Sequence, residues 1–146
     1  MERLKKAAKM NKVNKKSQWA GGLLALALCM GGGAALARTA DLYDAPKVLA
    51  ASVTALDARS MRDRIVAGAQ SLGWSVAREE EGLVELSYDK RGKHQVNVAV
   101  RYDPTGYKID YVGSFNLNYE EQGGVRKIHP NYNRWIQNLI KSIGQV

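Results

Sequence analysis

The chain has 146 residues, with 22 Lys and Arg against 14 Asp and Glu, a single cysteine and a net charge of +8. The charge is unevenly placed: residues 1–37 hold seven basic residues and one acidic, which leaves fifteen and thirteen, a balance of +2, for residues 38–146. The downstream part therefore lacks the dense basic patch that nucleic-acid binding needs, and with Cys29 upstream it has neither a disulfide nor a thiolate nucleophile.

Residues 1–37 read as a leader. Arg3, Lys5, Lys6, Lys9, Lys12, Lys15 and Lys16 precede an apolar run from Trp19 to about Ala37. A basic head, a greasy middle and a small-x-small end are the layout of a secretory signal peptide. The head stays at the anionic cytoplasmic face while the apolar part enters the bilayer. It is long for a signal, and Met10 is an alternative start. Three fates are open. Cleavage after Ala35-Leu36-Ala37, whose two alanines suit shallow peptidase pockets, gives a mature chain from Arg38. A lipoprotein signal instead cuts before Cys29 and acylates it, but it wants a small residue where this chain has Leu28. Left uncut, the 19 residues from Trp19 to Ala37 approach the roughly 20 that a span needs. Cleavage is the expected fate, and the periplasm or cell envelope is the expected compartment, with membrane anchoring as the variant.

Residues 38–56 read as a tether. Asp44-Ala45-Pro46 breaks regular structure, and Lys47–Thr54 is a candidate short edge strand. Residues 57–146 are the predicted domain. A helix over 57–73 places Met61, Ile65, Ala69 and Leu72 on one face. Ser60-Met61-Arg62-Asp63 resembles a capping box, Asp57 is a rival cap, and Gly73 is the stop. Four strands follow: Trp74–Arg78, Leu83–Tyr88, His94–Tyr102 and Tyr107–Ser114. Each alternates apolar and polar residues, as Val96, Val98 and Val100 do against Gln95, Asn97 and Arg101. Glu79–Gly82, Asp89–Gly92 and Asp103–Gly106 are the predicted turns. Phe115–Tyr119 extends the last strand or follows a bulge, and Glu120–Lys127 is a predicted loop. A second helix over Pro130–Ile143, capped by Asn131, aligns Tyr132, Trp135, Ile136, Leu139, Ile140 and Ile143.

Short connections make the strands antiparallel neighbours, and one apolar face needs a cover that the two helices can supply. The expected fold is therefore a two-layer α+β domain, a four-stranded antiparallel meander covered on one face by an N-terminal and a C-terminal helix. Burying the six large side chains of the last helix contributes on the order of 10 kcal/mol gross. Truncation before Trp135 is predicted to unfold the domain.

The tail IHPNYNRWIQNLIKSI, with LGW at 72–74 and YDPTGYKIDYVGSFNLNY between, resembles a family of small proteobacterial envelope proteins commonly labelled lipoproteins. The resemblance covers roughly residues 45–143. Its most specific part is Ile128-His129, Asn131-Tyr132-Asn133, Trp135-Ile136 and Asn138-Leu139. It implies export and a small α+β fold, and it supplies no catalytic assignment. Such proteins usually carry a well-formed lipobox, from which Leu28 departs. The order of helix, meander and helix also resembles the helix-grip domains of some outer-membrane assembly lipoproteins, a likeness of fold that does not set function.

Candidate chemistry is sparse. His94 and His129 are the only histidines, and no His, Cys and carboxylate cluster has metal-ligand spacing. Ser114 lacks a nucleophile elbow, and Glu79-Glu80-Glu81 and Glu120-Glu121 read as solvated charge runs rather than acid/base pairs. Arg78, Lys90, Arg91 and Lys93 flank the hairpin ends, where they serve solubility or touch anionic lipid. The most suggestive set is Asn116, Asn118, His129, Asn131, Tyr132, Asn133 and Trp135. Amides interleaved with aromatics combine flat apolar faces with paired donors and acceptors, which suits glycan or peptide. Capping and core packing explain the same spacing.

The expected function is a non-enzymatic binding or scaffolding module at the periplasmic face, with no cofactor. Its partner would be another envelope protein, lipid or peptidoglycan. The polar sheet face, with Gln95, Asn97, Arg101, Lys108 and Asp110, and an open sheet edge are the candidate surfaces. The alternative is a small periplasmic hydrolase or lyase using His129 as its base.

Overall fold

The structure, a computed structural model, describes residues 38–50 and 57–146. The leader, with Cys29 and the Ala37 cleavage position, lies outside the described residues, as do positions 51–56 of the segment read as tether and edge strand. Among the described residues no helix is long and apolar enough to cross a membrane.

Two short strands come first, β1 at Ala40–Asp41 and β2 at Val48–Leu49. Helix α1 spans Ala58–Ser71. Strands β3 (Ser75–Glu80), β4 (Leu83–Lys90), β5 (His94–Asp103) and β6 (Gly106–Phe115) follow. A hairpin of β7 (Glu120–Gln122) and β8 (Val125–Ile128) leads into helix α2, Pro130–Ile143. The fold is α+β with two antiparallel sheets.

The four expected strands are consecutive antiparallel neighbours, but the sheet has five, in the order β2-β6-β5-β4-β3. The fifth lies within the candidate edge strand Lys47–Thr54: Val48 and Leu49 pair with Tyr107 and Gly106 at the sheet's edge. Gly106 makes this possible, since a Cβ there would meet the Val48 carbonyl oxygen at 2.1 Å. The remaining strands form a second sheet, β1-β8-β7, where a loop over 120–127 was expected. Gly123 and Gly124 take φ of 59° and 80°, the left-handed pair that a two-residue hairpin turn uses. Opposite charges then face each other, Glu120 against Lys127 and Glu121 against Arg126.

Other boundaries move for local reasons. Asp57, not Ser60, caps α1, accepting the Ser60 N–H at 2.7 Å, and Ser60 sits inside the first turn. Leu72 ends the helix half-exposed rather than on the buried stripe, and Gly73 takes the expected positive φ of 82°. Glu79 and Glu80 belong to β3, so the turn shrinks to Glu81 and Gly82. Likewise β4 runs on through Asp89 and Lys90. In β6 the register shifts opposite Asn97 and Val98, so that Val112 is the extra residue. This bulge resets the alternation and keeps Ser114 inward, with its Oγ 2.8 Å from the Tyr111 hydroxyl.

One core joins both helices to one face of the larger sheet. It contains Met61, Ile65 and Ala69 of α1, Val84 and Leu86 of β4, Val96, Val98 and Val100 of β5, and Ile109 of β6. From α2 come Tyr132, Ile136, Leu139 and Ile143, while Trp135 and Ile140 of the predicted stripe are only partly buried. Four side chains rather than six thus carry the full burial term, about 6–12 kcal/mol gross. The helices meet at Gly68, whose ideal Cβ would lie 2.8 Å from the Ile143 backbone.

Candidate functional site

The fold engages most of the predicted amide and aromatic set in contacts within the chain. Tyr132 is 1 % exposed, and its ring meets Tyr111 edge-on at 5.6 Å. Tyr111 in turn stacks on Tyr119 at 4.5 Å. Trp135 packs edge-on against Tyr88 at 5.0 Å, and Tyr88 stacks on Trp74 at 5.1 Å. These three aromatics, with Lys90 and Asn138, border a small cavity of about 170 Å³. Asn133 holds the N-terminal segment: its Oδ1 accepts the Tyr43 N–H at 2.9 Å, and its Nδ2 donates to the Asp41 carbonyl at 2.8 Å. Asn131 accepts from Arg134 one turn on. Asn116 and Asn118 both have positive φ, 56° and 49°, which asparagine tolerates better than most residues. Asn116 Nδ2 donates to the Lys93 carbonyl at 2.8 Å.

His129, not Asn131, is the N-cap of α2. Its Nδ1 accepts the Asn131 N–H at 3.1 Å, and Pro130 occupies the first helical position, where a missing N–H costs nothing. The His129 backbone N–H donates to the Leu117 carbonyl at 2.7 Å. His94 lies opposite, ring centroids 6.0 Å apart, and its Nδ1 donates to the Asn116 carbonyl at 2.7 Å. The partners assign opposite tautomers: His94 carries its proton on Nδ1, neutral His129 on Nε2. Among the described residues there is no group of three or more His, Cys, Asp or Glu placed to hold a metal.

Burial holds the His129 pKa below its ordinary 6.5, and the neighbouring His94 and Arg134 charges act the same way. A proton added at Nδ1 would also displace the capping bond. The unfolded chain binds that proton more readily, so this site's stabilisation is complete above about pH 6.5 and falls away as pH drops below it. The urea midpoint is therefore expected to fall between pH 7.5 and 5.5. His129→Asn, which can cap without titrating, should show a smaller fall, and His129→Ala should cost about 1 kcal/mol at pH 7.5. Equal pH dependence in the native and Asn proteins would contradict this assignment.

The open sheet face neutralises itself. Arg101 pairs with Asp110, Lys108 reaches Asp110 at 3.0 Å and Asp44 at 3.5 Å, and Arg126 reaches Asp44 at 3.0 Å. Such exposed pairs add little stability, but they leave few charges there without a partner. The edge strand β3 is lined with charge as well: Arg78 pairs with Glu80 and approaches Glu85 at 3.7 Å. A larger cavity of about 640 Å³ between α1 and the β3–β4 turn is bordered by Arg62, Glu79 and Asp63. Arg62 is already held by the other two, at 2.5 and 2.7 Å.

One opening differs in kind. Between β2, α1 and the last turns of α2 lies an apolar groove of about 330 Å³. Leu49, Met61, Tyr107 and Ile140 supply its surface. The Tyr107 hydroxyl faces the Ile140 carbonyl at 3.4 Å, and burial pushes its pKa up to about 12. Arg64 and Lys141 border the groove, and among the described residues no acidic one does. Leu49 stands at its mouth with 69 % of its surface exposed. None of these residues belonged to the predicted set. The helical spacing of Arg64, three residues after Met61, was the available signal, but only the fold shows that Lys141 and β2 join it. Comparison of the chain with protein-family models, with curated proteins and with solved structures finds no match.

Proposed function

We propose that this chain is an exported envelope protein whose folded domain acts as a non-enzymatic binding module, with the groove between β2, α1 and α2 as its contact site. The observation that carries this reading is Leu49, a large aliphatic side chain 69 % exposed at the mouth of an apolar cavity. Exposing such a side chain beside an apolar cavity forgoes burial that a partner would restore. The basic, apolar and small-residue pattern of residues 1–37 supports export. The resemblance to small envelope proteins supports the same compartment. The hydrolase or lyase alternative is disfavoured at His129, where Nδ1 is occupied as the helix cap and Nε2 carries the proton of the neutral ring.

A photoreactive benzoylphenylalanine in place of Leu49, irradiated in cells, tests the reading. An adduct in the envelope fraction is expected, with none from the same residue at Gln95 on the exposed sheet face. Equal adducts at both positions, or a chain recovered only from the cytosol, would refute it. Intact mass of the envelope-purified protein separates an Arg38 terminus, an acylated Cys29 and a full-length chain.

A further inference from the structure

We infer that the groove between β2, α1 and α2 takes a single-chain anionic amphiphile, an alkyl chain ending in a carboxylate or phosphate. This rests on the binding reading above and names its ligand. The surface supplied by Leu49, Met61, Tyr107 and Ile140 offers an alkyl chain apolar contact and little hydrogen bonding. Arg64 and Lys141, from two different helices, border the same cavity, and neither forms an ion pair among the described residues. Lys141 in the last turn of α2 also complements that helix's negative end. Arg64 lies mid-helix in α1 and has no such role. Two cations over an apolar slot, with no acidic residue in its lining among the described residues, complement an anionic head attached to an apolar tail.

The same numbers choose a monomeric amphiphile over a membrane surface. Residues 38–146 carry only +2. Docking on anionic lipid relies on several basic residues acting together within a Debye length. The charge here is local to one slot.

The test uses the full chain in phosphatidylcholine nanodiscs with dodecanoic acid bearing a terminal diazirine as the probe. Irradiation is expected to label peptides containing Met61 and Ile140. The eight-carbon acid should label at least tenfold less, since each buried methylene is worth roughly fourfold in affinity. The corresponding twelve-carbon alcohol, without the charge, should label at least fivefold less. Substituting Arg64→Gln and Lys141→Gln together should reduce acid labelling to the level of the alcohol while cooperative unfolding is retained, with the melting temperature lowered by only a few degrees for the lost helix-end charge. Leu49→Glu, at an exposed position, should do the same by repulsion. Equal labelling by acid and alcohol overturns the anionic head, and labelling spread over other surfaces overturns the site. Binding to phosphatidylglycerol vesicles without groove labelling by the acid assigns the charge to a membrane surface and overturns the inference. A protein adduct at position 49 with no labelling by the acid leaves the binding reading standing and sinks this one, while absence of both sinks both.

Discussion

Ending the chain after Arg134 is expected to leave no cooperative unfolding transition. The cut removes Ile136, Leu139 and Ile143, each at most 2 % exposed, together with the Trp135 ring that covers Tyr88. Three buried aliphatic side chains represent about 5–9 kcal/mol of gross burial, against a typical net domain stability of about 5–15 kcal/mol. The loss does not stop at the removed atoms. Val96, Val98 and Val100 of β5 share the same core and would lose part of their cover. The stump of α2 left behind is about one turn, too short to hold helix on its own. Urea denaturation followed by far-ultraviolet circular dichroism reads the outcome. A sharp sigmoidal transition in the shortened protein would show that the sheet and α1 suffice, contrary to the packing described here.

The second large effect is expected from Gly68→Val. A Cβ at this position would stand 2.8 Å from both the Cα and the N of Ile143. Those are backbone atoms, so no side-chain rotation relieves the contact and the helices must separate. Separation strains two further links: Ser142 Oγ donates to the Gly68 carbonyl at 2.9 Å, and Ser71 and Ser142 hydroxyls lie 2.8 Å apart. Overpacking of this kind costs about 1–3 kcal/mol, and the rigid obstacle places Val at or above the upper end. Valine's helix propensity is better than glycine's by only a few tenths of a kcal/mol, too little to offset the clash. Ile143 also borders the apolar groove, so the same substitution should distort that cavity. An unchanged or raised urea midpoint would mean that the helices do not approach this closely.

Much of the architecture was legible along the chain because its signals are local. Alternation over His94–Tyr102 and helical spacing over Pro130–Ile143 arise from neighbouring residues; the helix forms where the spacing places it and the strand runs one residue further, to Asp103. The β7–β8 hairpin was missed because Glu120-Glu121-Gln122 is exposed throughout and shows no apolar period, although Gly123-Gly124 was a two-residue turn signal. Strands β1 and β2 have two residues each and exist only through their partners. The helix caps were close contests between adjacent polar residues, decided by backbone geometry: Asp57 over Ser60, and His129 over Asn131.

The amino-acid sequence alone determined the α+β class, the consecutive antiparallel pairing of β3 to β6, and the two helices with their buried stripes. It could do so because each rests on a period of two or 3.6 residues, written within a single element. Tertiary structure decided what those elements do together. It drew Asn133 to Tyr43 across 90 positions, spread the amide and aromatic set over separate packing roles, and set Arg64, Lys141 and Leu49 around one groove. Contacts between residues so far apart in the chain leave no local period, so their chemistry emerges only when burial of the common core brings the elements together.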